Sequence, residues 1–221
     1  MLRSMKELQG ITINAKDGDI GQIHDLYFED ALWSVRYFVA DTGGWLPGRK
    51  VLLPPGIIGT PNGFHEHIPV DLTIEQVKNS PDTDLAQPIS RQYESQLHDY
   101  FHWAPYWLTE VPSAVLPPVQ SGSSAEDANH PSPQILPDDH IPALRSARSV
   151  LGYHVFARNK DVGHVEDFYV DDKSWKLYYM LIDLRNWLPG GKKVLVGLHW
   201  IQQIDALLSK VHISLRACFK S

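Results

Sequence analysis

The chain has 221 residues, 43% of them hydrophobic and 21% charged, which is enough apolar material for a buried core and unlike a disordered polymer. The formal net charge of −6 and a pI near 6.0 leave no electrostatic footprint for a phosphate backbone and weigh against nucleic acid as the main partner. Apolar runs are only a few residues long, short of the roughly 20 that cross a bilayer, and the lone Cys218 permits neither an internal disulfide nor a cysteine-based zinc site.

The start, Met1 to Glu7, turns polar at once and carries no apolar segment of signal-peptide length, so a cytoplasmic protein is expected. Short strands follow at Gly10 to Ala15 and Ile20 to Phe28. In the second of these the apolar phase shifts, from odd-numbered Ile23 to even-numbered Leu26 and Phe28. A slip of one residue sends side chains to the opposite face, so a bulge near Asp25 is expected. The acidic turn Glu29-Asp30-Ala31-Leu32 leads into Val35 to Ala40, which is apolar or aromatic on both faces, as in a strand covered twice. The loop around Trp45-Leu46-Pro47 comes next. Thr73 is then an N-cap for a short helix that stops before Pro81.

From Ser90 to Trp103 the period becomes helical. Tyr93, Leu97, Tyr100 and Phe101 form one apolar stripe, Ser90 is the expected N-cap and Pro105 the stop. Between Ala104 and Ala143 lie half of the chain's 16 prolines, with Ser121-Gly122-Ser123-Ser124 at the centre, which reads as a linker.

Sliding the sequence by 142 positions places residues 2–48 on 144–190 without a gap. Leu2-Arg3-Ser4 meets Leu144-Arg145-Ser146. Asp25, Tyr27, Trp33, Tyr37 and Asp41 meet Asp167, Tyr169, Trp175, Tyr179 and Asp183. Trp45-Leu46-Pro47-Gly48 meets Trp187-Leu188-Pro189-Gly190, and after one inserted residue Lys50-Val51-Leu52 meets Lys193-Val194-Leu195. The chain therefore reads as an internal duplication. Strands are expected again at Gly152 to Ala157, Val162 to Val170 and Leu177 to Ile182, with a second bulge at Asp167.

Leu26 to Asp30, the Tyr37-to-Asp41 strand and the run from Trp45 to Pro54 resemble the PRC-barrel family, as do Val77 to Pro81 and Ser90 to Glu94. That family includes the barrel of the photosynthetic reaction-centre H subunit and the C-terminal barrel of a ribosome maturation factor. The resemblance implies a mainly β fold of two small six-stranded barrels, residues 1–80 and 144–221, with a helix and proline-rich linker over 81–143. It implies a protein-contact module with no catalytic residues to carry over.

Among the residues that bear chemistry, the duplicated Asp25/Asp167 and Asp41/Asp183 can be acids, metal ligands or turn-forming acceptors, and their placement favours the last. Glu94, His98 and His102 share a face of the predicted helix, and His65-Glu66-His67 is a second donor group. The zinc-protease order His-Glu-x-x-His is absent, and no metal or other cofactor is expected. Lys192-Lys193 and Arg49-Lys50 are too few charges to argue for nucleic acid.

The candidate partner-binding residues are Trp45 and Leu46, Trp187 and Leu188, and Trp103 and Trp107. Each of these groups either packs within the molecule or meets a separate protein. The expected function is a non-enzymatic binding or assembly module. A ribosome- or RNA-associated maturation factor and a reaction-centre-related accessory protein are the alternatives. The halves are expected to pack as an internal pseudo-dimer, with a homo-oligomer as a further state.

Overall fold

The computed structural model describes residues 1–46, 48–61, 67–82, 85, 88–109, 144–158, 160–184 and 192–214. Its first stretch runs β1 (Leu2–Ser4), α1 (Met5–Leu8), β2 (Thr12–Ala15), β3 (Gly18–Glu29), β4 (Ser34–Asp41), β5 (Lys50–Leu53), β6 (His67–Pro69) and α2 (Ile74–Lys78). Two helices follow, α3 (Arg91–Phe101) and α4 (Tyr106–Thr109). The last stretch runs β7 (Leu144–Ser146), α5 (Ala147–Val150), β8 (His154–Ala157), β9 (Lys160–Asp171), β10 (Leu177–Asp183), β11 (Lys193–Gly197), β12 (Ile201–Asp205) and β13 (Lys210–Ile213). Met1–Pro88 and Ala143–Ser221 form one compact unit, and Ile89–Pro142 form another.

The larger unit is mainly β and holds two sheets. One has the order β5-β4-β3-β2-β6 with β7 set against β3, and the other β11-β10-β9-β8-β13-β12 with β1 set against β9. Neighbours are antiparallel except β2 with β6 and β8 with β13. Six-stranded closed barrels were the expectation, but among the described residues neither strand order closes into a ring. In each sheet a 3-10 turn intervenes after the edge strand β5 or β11. After β5, Pro54 leads into a 3-10 turn at Pro55–Ile57, and β6 ends on Pro69, which has no N–H to donate. In the second sheet a 3-10 turn at Leu198–Trp200 intervenes between β11 and β12.

Both expected bulges are present. The β3/β4 register slips between Ile23 and Asp25, leaving His24 as the extra residue, and β9/β10 slips between Val165 and Asp167, leaving Glu166. Near each bulge a glycine is obligatory. Gly21 (φ 135°) and Gly163 (φ 151°) pass so close to the next strand that an added Cβ would lie 2.0 Å from the carbonyl oxygens of Asp41 and Asp183 respectively.

The two sheets exchange their leading segments. β1 pairs with β9, with Ser4 opposite Tyr169, while β7 pairs with β3, with Ser146 opposite Tyr27. A second reciprocal pair closes the seam, as Val35 donates its N–H to the Trp175 carbonyl at 2.9 Å and Leu177 to the Trp33 carbonyl at 2.8 Å. Trp33 and Trp175 hold left-handed backbones, φ 53° and 51°, which costs about 1–2 kcal/mol each for a residue with a Cβ. Aromatic packing offsets that cost. Phe28 stacks on Trp33 at 5.6 Å, meets Phe168 at 5.5 Å, and Trp175 stands edge-on to Phe38 at 4.6 Å. Phe28, Phe38 and Phe168 are fully buried.

The strand expected to be covered on both faces behaves differently in the two sheets. β4 is buried from Ser34 through Ala40, whereas β10 leaves Tyr178 and Tyr179 exposed. In the smaller unit α3 starts where expected, with Ser90 Oγ accepting from the Tyr93 N–H at 3.2 Å. It stops at Phe101, earlier than expected, because His102 turns left-handed (φ 57°).

Candidate functional site

Asp25 and Asp167 each reach across to the helix start of the other half. Ser4 caps α1 and its hydroxyl also donates to Asp167; Ser146 caps α5 and its hydroxyl donates to Asp25 at 2.5 Å. Asp25 further accepts from the backbone N–H groups of Arg148 (2.9 Å) and Leu26 (2.7 Å), and Asp167 from those of Lys6 (3.3 Å) and Phe168 (2.8 Å). Each carboxylate thus binds its own bulge and the helix start of the other half. Burial pushes the Asp25 carboxyl up, and the three donors pull it back. Ion pairs add to these contacts: Arg3 donates to Asp172 at 2.9 Å, the Met1 ammonium reaches Asp171 at 3.0 Å and Asp172 at 2.6 Å, and Arg145 reaches Asp30. Asp41 behaves as a turn former, accepting from the Gly43 N–H at 3.0 Å.

Beside each bulge lies a charged cluster. His164, Glu166 and Asp183 bring ligand-type atoms within 4.8 Å of one another, a spacing a metal ion can use. Two lysines neutralise the Glu166 carboxylate of this group. Lys6 Nζ lies 2.8 Å and Lys193 Nζ 3.1 Å from Glu166 Oε1, and their hydrogen bonds hold the Glu166 carboxyl below its usual range. In the other half the bulge residue is His24, with Lys50 Nζ 2.8 Å from its Nε2 and Arg148 3.2 Å from its Nδ1. Burial, Lys50 and Arg148 all push the His24 imidazole below its ordinary pKa, so it is neutral at neutral pH.

The helical candidates separate. Glu94 and His98 are buried, at 2% and 4% exposure, while His102 is exposed at the C-cap, so the three do not converge on a metal position. Glu94 is held instead by Arg91 at 2.9 Å and by the Tyr106 hydroxyl at 2.7 Å. Burial and the adjacent Glu94 raise the Tyr106 phenol well above its usual range. The candidate Trp107 lies under the Arg91 guanidinium at 4.2 Å and against His98 at 4.9 Å, and Trp103 stacks on Phe101 at 4.1 Å. Both tryptophans are partly covered by residues of their own unit. Trp45 is 39% exposed, and its indole N–H donates to the Ile20 carbonyl at 3.2 Å, while Leu46 offers its carbonyl to the Thr42 hydroxyl at 2.8 Å. Trp187, Leu188 and the His65-Glu66 pair lie outside the described residues.

The surface that sequence reasoning missed is on β10 and β11. Leu181 pairs with Leu195 and Tyr179 with Tyr169, which places these side chains on one face of the second sheet. Tyr179 is 39% and Leu195 52% exposed, and Tyr178 and Val194 are exposed as well. Their counterparts in the first sheet, Tyr37 and Leu52, are fully buried. The signal was hidden because Tyr37 and Tyr179, and Leu52 and Leu195, are the same residue types, so composition alone cannot tell a covered face from a bare one.

Residues 143–215 match the PRC-barrel domain family. No curated protein matches the chain.

Proposed function

We propose that this chain is a non-catalytic protein-binding and assembly module in which two PRC-type β units, related by internal duplication, form one pseudo-dimer. The family match over 143–215 supports a protein-interaction role for the second half. The reciprocal exchange of Leu2–Ser4 and Leu144–Ser146, related by the same offset of 142 as the sequence repeat, supports the duplicated reading of the first half. The observation that carries the binding role is the bared apolar face of β10–β11. Tyr179 and Leu195 remain in water where the offset-related positions are buried, and aromatic and aliphatic groups clustered on a sheet face are the composition of a protein contact. The carboxylates repeated at the bulges spend their lone pairs on serine hydroxyls and backbone N–H groups, which suits a clasp rather than proton transfer.

The test is site-specific photo-crosslinking from position 195 in native extract, compared with position 173 on an exposed turn. A discrete adduct from 195 that is absent from 173, and that is lost in Tyr179→Asp while the far-UV CD spectrum is unchanged, supports the assignment. Equal, diffuse labelling from both positions overturns it.

A further inference from the structure

The two bulge clusters match position for position. Lys6 and Arg148 come from the helices of the opposite half, Lys193 and Lys50 from the adjacent strands, and Asp183 and Asp41 from the strand ends. His164 stands where the first half has Gln22, and Glu166 stands where it has His24. In the second half two cations face two carboxylates. The first half has two cations and a single carboxylate, Asp41, which lies 4.0 Å from the His24 ring and bonds the Gly43 N–H. One negative charge is missing from an otherwise equivalent arrangement.

The imidazole cannot replace it. A neutral histidine has one acceptor nitrogen, yet Lys50 Nζ approaches Nε2 at 2.8 Å and Arg148 approaches both ring nitrogens, at 3.2 and 3.3 Å. Two cationic donors therefore compete for one lone pair. Among the described residues, neither Lys50 nor Arg148 forms an ion pair with a carboxylate. Asp25, the next acidic group, is occupied by Ser146 Oγ and the backbone N–H groups of Arg148 and Leu26.

We propose that Lys50 and Arg148, beside His24, form a binding site for an oxyanion supplied from outside the chain, a phosphate or a carboxylate. The bound group takes the place that the Glu166 carboxylate fills in the other half. An oxyanion accepts from an ammonium and a guanidinium at once, and charge-assisted bonds of this kind are the strong ones. Because Lys50 belongs to the first half and Arg148 to the second, the ligand also joins the halves, as Glu166 does through Lys193 and Lys6. This site is independent of the β10–β11 face and goes beyond the binding role proposed for it.

The test uses the full chain, with sodium phosphate and sodium acetate titrated separately at constant ionic strength in chloride, followed by 1H–15N NMR and thermal denaturation. Saturable shifts confined to residues around Lys50, His24 and Arg148, with a rise in Tm, are expected. His24→Glu, which installs the carboxylate of the other half, is expected to abolish both responses while keeping or raising the Tm in chloride. Glu166→His is expected to create a second saturable response near Lys193. A response to phosphate alone assigns the site to phosphate groups, and a response to acetate as well assigns it to carboxylates in general. A linear, unsaturated drift, or a response that persists in His24→Glu, means an adventitious ion only and overturns the proposal.

Discussion

In the first sheet, β4 is buried on both faces and Leu52 on the neighbouring edge strand has no exposure, whereas in the second sheet Tyr179 and Leu195 stand in solvent at the matching positions. The backbone of the two is nonetheless the same in register, bulge and exchanged segment. The comparison separates two jobs that one strand pattern can do. The Asp25 and Asp167 clasps join the two sheets, and their hydrogen-bond partners are equivalent. The outward faces are not, and the elements beside the two sheets differ. One of these is α2, whose Thr73–Gln76 capping box and contact with Gly18 anchor it beside β3, while Arg49 donates to the carbonyls of Lys78 and Ser80. Among the described residues the second half has no counterpart of α2.

The largest expected effect tests that contrast directly. Leu52→Ala removes a fully buried side chain and is expected to cost about 2–5 kcal/mol. Leu195→Ala, the same change on the exposed face, is expected to stay within about 0.5 kcal/mol. Urea denaturation of both variants measures the difference, and equal losses would mean that the second face is covered in solution. A smaller effect tests the clasps. Asp25→Ala and Asp167→Ala each strand a serine hydroxyl and backbone N–H groups, at about 1–3 kcal/mol. The two losses are expected to be alike, and a large inequality would break the symmetry of the exchange.

Much of this is legible in the sequence. The phase change across Ile23 and Leu26 locates the bulge, since alternation leaves one residue over, and Ser90 and Thr73 announce their helices by chemistry that is local. Long-range facts were not legible. Leu2-Arg3-Ser4 and its repeat were visible as a matched pair, but a β-ladder partner 165 residues away (Ser4 with Tyr169) leaves no local trace. The same holds for Asp25 and Asp167, whose partners belong to the other half. Period alone puts His102 on the helical face, since it cannot foresee a left-handed C-cap. The exposed face was the hardest, since burial there depends on neighbours that the repeat does not encode.

The smallest effect concerns the single charge by which the clusters differ. His24 has its pKa lowered by burial and by Lys50 and Arg148, so the folded protein resists a proton that the unfolded chain accepts at the ordinary value of 6.5. Between that value and the lower folded one, the unfolded state binds more protons, and stability rises with pH. The His24 contribution is therefore fully present above pH 6.5 and is lost as the pH falls below it. His98 is lowered by burial too and acts in the same direction, so a single curve does not isolate His24. The difference between wild type and His24→Gln does. In chloride, the variant is expected to lose part of the acid-side slope in Tm while keeping the slope due to His98. Saturating phosphate is expected to flatten the wild-type slope toward that of the variant, because an anion beside Lys50 and Arg148 offsets their repulsion of the imidazolium. Identical slopes for the two proteins in chloride would show that the cations do not bear on His24, and the charge asymmetry between the halves would then have no energetic consequence.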